Sequence, residues 1–436
     1  MKFYNREKEL AFLNEIEQAS VESAQMTFIV GRRRIGKTSL VIKSIEQKTS
    51  LYFFIAKKSE PLLCDEFVIE IKRKLNVEIF GELKSFKAVF GYLIELSKTT
   101  HFTLIIDEFQ EFYTVNPSVY SDMQNIWDAN KASARINLIL CGSVYSLMTR
   151  IFEQSKEPLF GRATKRLFLK EFNVDTIKEI LADNYPNYTA EDLLAFYMVS
   201  GGVAKYVELL VEAKAFTLKN ILDEVFSENS LFLDEGKNVL IDEFGKDYGN
   251  YFSILSLIAS SKTSRPEIES ILEIQTGGYL DKLEKEFKLI RKIRPVFAKP
   301  NSRSVKYFIQ DNFLNFWFRF IYKYSSAIEI GNLNYVKNIV LRDYKTYSGK
   351  VLEKYFTSQL RIHSNYSTIG PYWEKANQNE IDIIAINDIK KRIVIVEVKR
   401  QRKNINLLLL QKKASAIMQK YNDYKIDFKG LSMADM

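Results

Sequence analysis

The sequence has very few of the residues that most often bind zinc or serve nucleophilic catalysis. Its only histidines are His101 and His363, and its only cysteines are Cys64 and Cys141. A structural zinc site needs four nitrogen or sulfur ligands close together, and a serine or cysteine triad needs a histidine beside the nucleophile. Because the four residues are scattered along the chain, we expect neither site. We expect at most one disulfide, which is typical of a reducing compartment.

Long apolar runs are also missing. No run approaches the roughly 18 residues that span a bilayer. The first ten residues, MKFYNREKEL, are charged and lack the apolar core of a secretory signal. We therefore expect a cytoplasmic protein without a membrane partner. At about 150 residues per domain, a chain of 436 residues has room for two to four domains.

The net positive charge is concentrated near one end of the chain. The formal net charge is +9, and residues 341–436 hold 18 basic and 10 acidic residues. The remaining 340 residues hold 45 basic and 44 acidic residues. A local basic excess is the electrostatic footprint of a nucleic-acid contact, and a solvated charged surface is the alternative.

A phosphate-binding loop is the first motif. Residues 26–30, MTFIV, predict a short buried strand, and the segment GRRRIGKTSL that follows matches G-x-x-x-x-G-K-[ST]. Glycines let backbone N–H groups face phosphates, and the next helix adds the positive end of its dipole. We expect Lys37 to reach the β- and γ-phosphates and Thr38 to ligate Mg²⁺. The predicted ATP-binding residues of this loop are Gly31, Arg32, Arg33, Arg34, Ile35, Gly36, Lys37, Thr38 and Ser39.

Two acidic residues follow a second apolar run. Residues 102–106 predict a buried strand that ends at Asp107 and Glu108. We expect Asp107 to hold Mg²⁺ through water and Glu108 to polarise the attacking water, with a solvated strand end as the alternative. A third predicted strand, residues 136–143, ends at Ser143, which is a candidate sensor of the γ-phosphate or of the attacking water.

Six ordered segments carry a family resemblance: FYNREKEL, GRRRIGKTSL, IIDEFQ, LILCGS, PLFGRATKRLFLKEF and GGVAKYVELL. Over about residues 1–240 the chain resembles the archaeal-type ATPases of the AAA+/STAND group of P-loop NTPases. The resemblance implies an ASCE-type parallel sheet in which the lysine loop and the acidic strand are adjacent. It places Arg6 near the base or ribose, and Ala204 stands where the family usually has proline. It makes Arg162 a phosphate-facing arginine, in cis or across a homo-oligomer boundary, although a surface arginine is the alternative.

The middle of the chain predicts two further domains. Residues 171–246 have apolar residues at helical spacing, which predicts a helical lid over the nucleotide. Residues 247–325 predict three helices and a β-hairpin, the elements of a winged helix-turn-helix, followed by an aromatic connector. The third helix has charged residues of both signs: Asp281, Lys282, Glu284, Lys285, Glu286 and Lys288. This mixed face favours a packing or autoinhibitory role over DNA binding, and we expect the aromatic segment at 311–324 to be core or interface.

The last predicted domain, residues 326–436, gathers carboxylates and a lysine. A predicted amphipathic helix holds Glu353, one predicted strand holds Asp382, and the next holds Glu397 and Lys399 on one face. We expect the three carboxylates to bind one or two Mg²⁺ ions, which lower the pKa of a bound water. Lys399 is expected to position that water or to stabilise the charged transition state.

The order helix–strand–strand–strand–helix, with Glu353, Asp382 and the triplet Glu397-Val398-Lys399, resembles the PD-(D/E)XK nuclease superfamily over about residues 345–425. The resemblance implies metal-dependent cleavage of DNA at the basic domain. The segment FWFRF resembles the junction between this ATPase type and a DUF234-like C-terminal domain. Ser415 stands where the RecB-like branch has tyrosine, so that branch is not indicated.

These patterns predict an α/β multidomain protein with ATP and Mg²⁺ as cofactors and leave two functions open. The first is an ATPase whose nucleotide state controls a DNA-cleaving domain. The second is an ATP-dependent switch that binds DNA or protein partners through the winged helix and the C-terminal domain without cleavage. The residues predicted to act in the first case are Lys37, Asp107, Glu108, Ser143, Arg162, Asp382, Glu397 and Lys399.

Overall fold

The computed structural model describes residues 1–245, 248–299, 301–363, 365–374 and 378–436. These residues form two compact units. The N-terminal unit comprises Lys2–Glu171 and Val203–Lys205, and the C-terminal unit comprises Phe172–Gly202, Tyr206–Met436 and Met1. Within these described ranges, no helix is long and apolar enough to cross a membrane. The predicted boundary at Lys246, between the lid and the winged helix, lies outside the described residues.

The N-terminal unit is built around a parallel sheet. Its strands are β1 (Gln25–Val30), β2 (Ser50–Phe54), β3 (Phe102–Asp107), β4 (Ile136–Gly142) and β5 (Lys165–Phe168). Its helices are α1 (Glu7–Ser20), α2 (Lys37–Ser44), α3 (Glu60–Leu75), α4 (Phe86–Leu96), α5 (Phe112–Val115), α6 (Val119–Asn130) and α7 (Tyr145–Glu153). Every residue of β3 and β4 is buried, as expected when helices cover both faces of a parallel sheet.

The strand order confirms the predicted fold class and corrects one detail of it. The five strands lie in the order β2-β3-β4-β1-β5, and each neighbouring pair is parallel. The expectation that the lysine loop and the acidic strand are adjacent is wrong at the level of strands, because β4 separates β1 from β3. The loops after β1, β3 and β4 nevertheless meet at the carboxyl edge of the sheet, where parallel strands end together.

The first part of the C-terminal unit is helical and contains one hairpin. Its helices are α8 (Val174–Asn184), α9 (Ala190–Ser200), α10 (Ala204–Glu212), α11 (Leu218–Val225), α12 (Leu231–Phe244), α13 (Tyr248–Ala259), α14 (Arg265–Leu272), α15 (Gly277–Lys285), α16 (Asn312–Phe316) and α17 (Ser325–Glu329). Strands β6 (Ile290–Ile293) and β7 (Lys306–Ile309) form the antiparallel hairpin. Three helices followed by a hairpin are therefore present as predicted.

The aromatic connector is a packed core. Phe313, Phe316, Phe318 and Phe320 are fully buried, and Trp317 is 4% exposed. This confirms the interpretation as core, since buried rings are not available to stack on bases.

A four-stranded mixed sheet completes the C-terminal unit. Its elements are α18 (Leu333–His363), β8 (Thr368–Tyr372), β9 (Ile381–Asn387), β10 (Arg392–Lys399), α19 (Leu407–Lys413), α20 (Ser415–Lys420) and β11 (Lys425–Ser432). The order is β11-β10-β9-β8, with β10 parallel to β11 and the other two pairs antiparallel. Strand β11 was not predicted, and the last helix of the predicted helix–strand–strand–strand–helix order is two helices that meet at Ala414.

The loop of the β6–β7 hairpin is anchored on this mixed sheet. Val296 belongs to its apolar core, and the Val296 N–H donates to the carbonyl oxygen of Pro371 at 2.9 Å. The Phe297 ring stacks on Tyr421 with 4.5 Å between centroids. The indole of Trp373 donates to the hydroxyl of Ser304 at 2.8 Å. These contacts favour the packing role of the hairpin over a role as a free DNA-reading wing.

Candidate functional site

The loop between β1 and α2 has the backbone that the glycine pattern predicts. Gly36 has a φ of 91°, in the left-handed region where L side chains are strained. A Cβ atom on Gly31 would lie 3.0 Å from the carbonyl oxygen of Leu169. Of the intervening residues, Ile35 is buried, whereas Arg33 and Arg34 are exposed. The loop is thus a tightly packed turn whose arginines lie on its outer side.

Lys37 is held inside this loop. Its side chain is buried, and its ammonium donates to the carbonyl oxygens of Gly31 at 2.6 Å and Arg32 at 3.1 Å. Burial lowers the pKa of Lys37, while the negative charges of Glu108 and Asp107 oppose that effect. The ammonium is therefore buried among carbonyl oxygens of the loop, and its contact with phosphates stays a prediction.

The predicted Mg²⁺ ligands Thr38 and Asp107 are in contact. The Thr38 hydroxyl donates to Asp107 Oδ2 at 3.0 Å, and the Glu108 N–H donates to Oδ1 at 2.9 Å. The Tyr52 hydroxyl, from β2, also donates to Oδ2, at 2.6 Å. Burial, together with this bond to Asp107, raises the pKa of Tyr52. Sequence reasoning missed Tyr52, because only the pairing of β2 with β3 brings it to Asp107.

Glu108 is restrained by two neighbours. Its Oε2 accepts hydrogen bonds from Ser143 Oγ at 2.7 Å and from the Gln110 side-chain amide at 2.5 Å. The predicted sensor Ser143 is therefore hydrogen-bonded to the predicted water-activating carboxylate. Gln110, a second residue missed from sequence, is buried and fixes the same oxygen. Gly142 leaves room for it, since a Cβ there would lie 2.5 Å from Gln110 Oε1.

The two arginines implied by the family resemblance lie in different places. Arg6 is buried and donates to the carbonyl oxygens of Lys170 at 2.7 Å and Ile35 at 3.5 Å, so it lies against the phosphate loop. Arg162 donates to the carboxylate of Asp128 on α6 at 3.1 Å. These contacts bring Arg6 to the nucleotide loop but do not bring Arg162 to Lys37 or Asp107. The role of Arg162 stays a prediction.

The segment Val203–Lys205 lies on the same loop. The Lys205 N–H donates to the carbonyl oxygen of Arg34 at 3.1 Å. A Cβ on Gly36 would lie 3.5 Å from the Cβ of Ala204, the residue at the position where the family usually has proline. Ala204 and Lys205 of the later motif are therefore in direct contact with the phosphate loop.

In the C-terminal unit, Asp382, Glu397 and Lys399 converge as predicted. Ile383 pairs with Val396, so the next residues, Asp382 and Glu397, lie opposite each other on antiparallel β9 and β10. The Lys399 ammonium is 3.5 Å from Asp382 Oδ2 and 3.4 Å from Glu397 Oε1. The Val398 N–H donates to Asp382 Oδ2 at 2.8 Å. Two carboxylates and one ammonium thus share one end of the sheet.

Glu397 is further held by helix α19. Its side chain is buried, and its Oε2 accepts from the N–H of Asn406 at 3.2 Å. The ammonium of Lys413 is 4.0 Å from Oε1. Neither Asn406 nor Lys413 was predicted, because their proximity depends on the fold of α19 across β10.

Glu353 lies close enough to this cluster to be affected by its charge. It forms an ion pair with Lys350, with the ammonium 2.9 Å from Oε1. Burial raises the pKa of Glu353 to about 7, and the carboxylates of Asp382 and Glu380 add to the rise, while Lys350 opposes it. A cation bound among these carboxylates would relieve their mutual repulsion.

The protein oxygens at these two sites fit Mg²⁺ only if water molecules supply most of its ligands. Within the described ranges, no group of three or more His, Cys, Asp or Glu side chains is placed to hold a metal ion. Mg²⁺ usually keeps several waters and takes one or two carboxylates from the protein. Asp382 and Glu397 meet that smaller requirement, as do Thr38 and Asp107 beside a nucleotide. The predicted Mg²⁺ sites therefore stay predictions.

Arg400 ties the end of β10 to two helices of the same unit. Its guanidinium donates to both carboxylate oxygens of Glu191, at 2.8 and 2.6 Å, and to the hydroxyl of Ser348 at 2.5 Å. It also lies 5.0 Å from the centroid of the Tyr344 ring. One guanidinium nitrogen contacts both carboxylate oxygens, and this ion pair connects the residue after Lys399 to α9.

Comparison with known proteins identifies the two ends of the chain. Residues 3–210 match the family described as an ATPase domain predominantly from Archaea. Residues 317–417 match DUF234, described as archaeal and bacterial proteins of unknown function.

Relatives extend the similarity over most of the chain. An uncharacterised protein of Methanocaldococcus jannaschii is 30% identical over 408 residues, which are 91% of this chain and 87% of that protein. A Walker-type ATPase of Pyrococcus abyssi has a similar fold, with a TM-score of 0.55 and 16% identity. That match covers 72% of this chain and 96% of the other. With its phosphate loop, its acidic strand and both matched regions in order, the chain belongs to the archaeal-type P-loop ATPase family and carries a DUF234 C-terminal domain.

Proposed function

We propose that the protein hydrolyses ATP at the N-terminal unit and that its nucleotide state controls metal-dependent DNA cleavage at the C-terminal sheet. The main observation in favour of DNA cleavage is the convergence of Asp382, Glu397 and Lys399 at one end of β9 and β10. Two acidic oxygens beside an ammonium are suited to charge stabilisation at a phosphodiester. The basic excess of the same domain suits a polyanionic substrate.

At the N-terminal unit, several residues have separate roles in phosphoryl transfer. Lys37 places its positive charge at the phosphates, and Thr38 and Asp107 would hold Mg²⁺, which neutralises charge on the phosphate oxygens. Glu108 takes a proton from the attacking water once its oxygen is released from Ser143. Tyr52 orients Asp107 through their hydrogen bond.

At the C-terminal sheet, Asp382 and Glu397 would hold Mg²⁺, which supplies a water of lowered pKa. Asp382 is fixed by the Val398 N–H and Glu397 by the Asn406 N–H, so both carboxylates are oriented before substrate arrives. Lys399 stabilises the negative charge that develops on the phosphate in the transition state. Glu353, with its raised pKa, is suited to accept or donate a proton near neutral pH.

The path of the chain supports control of one site by the other. Val203–Lys205 belongs to the N-terminal unit, where Lys205 bonds to the phosphate loop. The two preceding residues, Gly201 and Gly202, have positive φ values of 60° and 78° and directly follow α9. Glu191 lies at the start of helix α9 and forms an ion pair with Arg400, the residue after Lys399. A change at the phosphate loop would thus reach β10 through residues 191–205 and the Glu191–Arg400 ion pair.

A second candidate is a nucleotide-dependent switch that binds DNA or a protein without cleavage. It is favoured by the finding that, in the described part of the chain, no three acidic, histidine or cysteine ligands cluster around a metal position. The anchored β6–β7 loop also fits a regulatory packing role.

Cleavage assays separate the two candidates. Purified protein is incubated with ATP, with Mg²⁺ or Mn²⁺, and with single-stranded, double-stranded and branched DNA. The nuclease proposal predicts cleavage that Asp382→Asn abolishes while ATP hydrolysis is retained. Asp423→Asn is the matched control, because Asp423 is exposed beyond the opposite end of the sheet and pairs with Lys391. Salt-sensitive binding without cleavage of any DNA would favour the switch.

A further inference from the structure

Helix α19 presents a run of exposed leucines. Of the four consecutive leucines at its start, only Leu410 is buried, where it packs in the core of the mixed sheet. Leu407, Leu408 and Leu409 are 41%, 73% and 46% exposed. Single exposed leucines are ordinary, whereas a run of three is not. Successive helix residues are about 100° apart, so the three side chains spread over the solvent-facing side of α19 and form an apolar surface with Leu408 in the middle.

This leucine surface lies beside the carboxylate cluster. The Asn406 N–H, just before α19, donates to Glu397 Oε2 at 3.2 Å, and Lys413, at the end of α19, has its ammonium 4.0 Å from Glu397 Oε1. The Asn406 side chain caps the helix by accepting from the Leu409 N–H at 3.0 Å. A seven-residue helix is only about 10 Å long. Because both ends of α19 contact Glu397, its exposed leucines cannot lie far from that carboxylate.

The charged residues near the leucines indicate which kind of ligand binds there. Residues 398–422 contain seven basic residues and no acidic one. Four of the seven are paired with carboxylates of other segments: Lys399 and Lys413 with Glu397, Arg400 with Glu191, and Arg402 with Asp435. Lys403 and Lys412, on either side of the leucines, are exposed. The cores of protein–protein interfaces are depleted in charged residues, whereas phosphates attract lysine and arginine. Apolar side chains between basic ones are the pattern of proteins that insert a wedge between base pairs.

We infer that Leu407, Leu408 and Leu409 form a wedge that enters the DNA base stack and unstacks it beside Asp382 and Glu397, with flanking lysines on the phosphates. This inference rests on the proposed DNA substrate and adds that the substrate is held in an unstacked form. Leu408, the most exposed of the three, is the leading residue of the wedge. Unstacking a step kinks the duplex, and such a kink would let the strand bend toward the carboxylates.

The test uses the full chain in chelator, so that no cleavage occurs, and a short duplex with 2-aminopurine, whose fluorescence rises on unstacking. The wild-type protein is expected to bind with strong salt dependence and to raise the fluorescence. Leu407→Ser/Leu408→Ser/Leu409→Ser is expected to lose that rise and to weaken binding by tenfold or so for each inserted leucine. Leu408→Phe is expected to keep the rise. The matched control is Ile389→Ser, an apolar residue 97% exposed at the turn before β10, at the end away from Lys399.

The outcomes distinguish this inference from the proposed function. Salt-dependent binding with no fluorescence rise, or a rise that the triple serine variant keeps, would overturn the wedge and leave DNA binding intact. A wild-type protein that binds neither duplex nor single-stranded DNA would overturn both. Sedimentation velocity gives a third outcome. A wild-type dimer that the triple serine variant dissociates would mean that a second copy, and not DNA, covers the leucines.

Discussion

Replacing Glu353 by glutamine is predicted to stabilise the C-terminal unit at pH 8 and to have no effect near pH 4. An ordinary glutamate has a pKa of 4.5, and burial with nearby Asp382 raises the pKa of Glu353 to about 7. Ionising Glu353 in the folded protein therefore costs about 3 kcal/mol more than in the unfolded chain. Glutamine is close in size and carries no charge, so it removes this cost.

The direction of the pH dependence follows from which state holds the proton. Below pH 4.5 the carboxyl is protonated in both states, and the two proteins should be equally stable. Between pH 4.5 and about 7 the folded state binds more protons than the unfolded state, so the free energy of unfolding of the wild type falls as the pH rises. Above about pH 7 the full difference of about 3 kcal/mol is present.

Thermal unfolding in the presence of chelator measures this difference. At pH 8 the Tm of the transition that unfolds the C-terminal unit should be higher in Glu353→Gln by several degrees, on the order of 6–12 °C. The shift should shrink as the pH is lowered toward 4. Glu329→Gln, at an exposed residue that ends α17, is the control and should leave Tm unchanged at every pH. A Glu353→Gln variant that is less stable at pH 8, or equally shifted at all pH values, would refute the reasoning.

Three further substitutions test individual contacts. Tyr52→Phe removes the hydrogen bond to Asp107. We expect it to lower kcat for ATP hydrolysis by roughly tenfold, equivalent to about 1.4 kcal/mol, and to raise the Mg²⁺ concentration that hydrolysis requires. An unchanged Mg²⁺ titration would contradict this prediction. Ser143→Ala should lower kcat with little change in KM, because Glu108 loses a positioning partner that acts in the chemical step. If Ser143 served only binding, steady-state kinetics would show a higher KM with an unchanged kcat. Arg400→Ala should leave basal DNA cleavage in place but reduce the dependence of cleavage on ATP, because the ion pair with Glu191 of α9 is lost. A variant whose cleavage responds to ATP as the wild type does would exclude Arg400 from the coupling between the ATP site and the cleavage site.

The course of the phosphate loop could be predicted because its residues are neighbours in sequence. Gly31 to Thr38 fold on each other, so their spacing determines the loop geometry. The order of the strands could not be read in the same way, since inserting β4 between β1 and β3 depends on packing across the whole sheet. Tyr52 was missed for the same reason: a tyrosine in an apolar strand gives no local sign of an acidic partner on the neighbouring strand.

The carboxylate cluster was predicted from strand alternation, and its surroundings were not. Period-two alternation places Asp382, Glu397 and Lys399 on one face, and the antiparallel register brings them together. Strand β11 was missed because its sequence, KIDFKGLS, contains three charged residues and is mostly half-buried, and only its parallel pairing with β10 identifies it as a strand. The anchoring of the hairpin loop through Val296 is a contact between distant segments, which local patterns do not encode.

The most direct test of the central claim is the rate of DNA cleavage in Mg²⁺ with and without ATP, measured side by side for the wild type, Lys37→Ala and Asp382→Asn. The account predicts that the wild-type rate changes with ATP. Lys37→Ala should lose both ATP hydrolysis and this response, and Asp382→Asn should lose cleavage while still hydrolysing ATP. Cleavage that survives Asp382→Asn, or a wild-type rate that is the same with and without ATP, would contradict it.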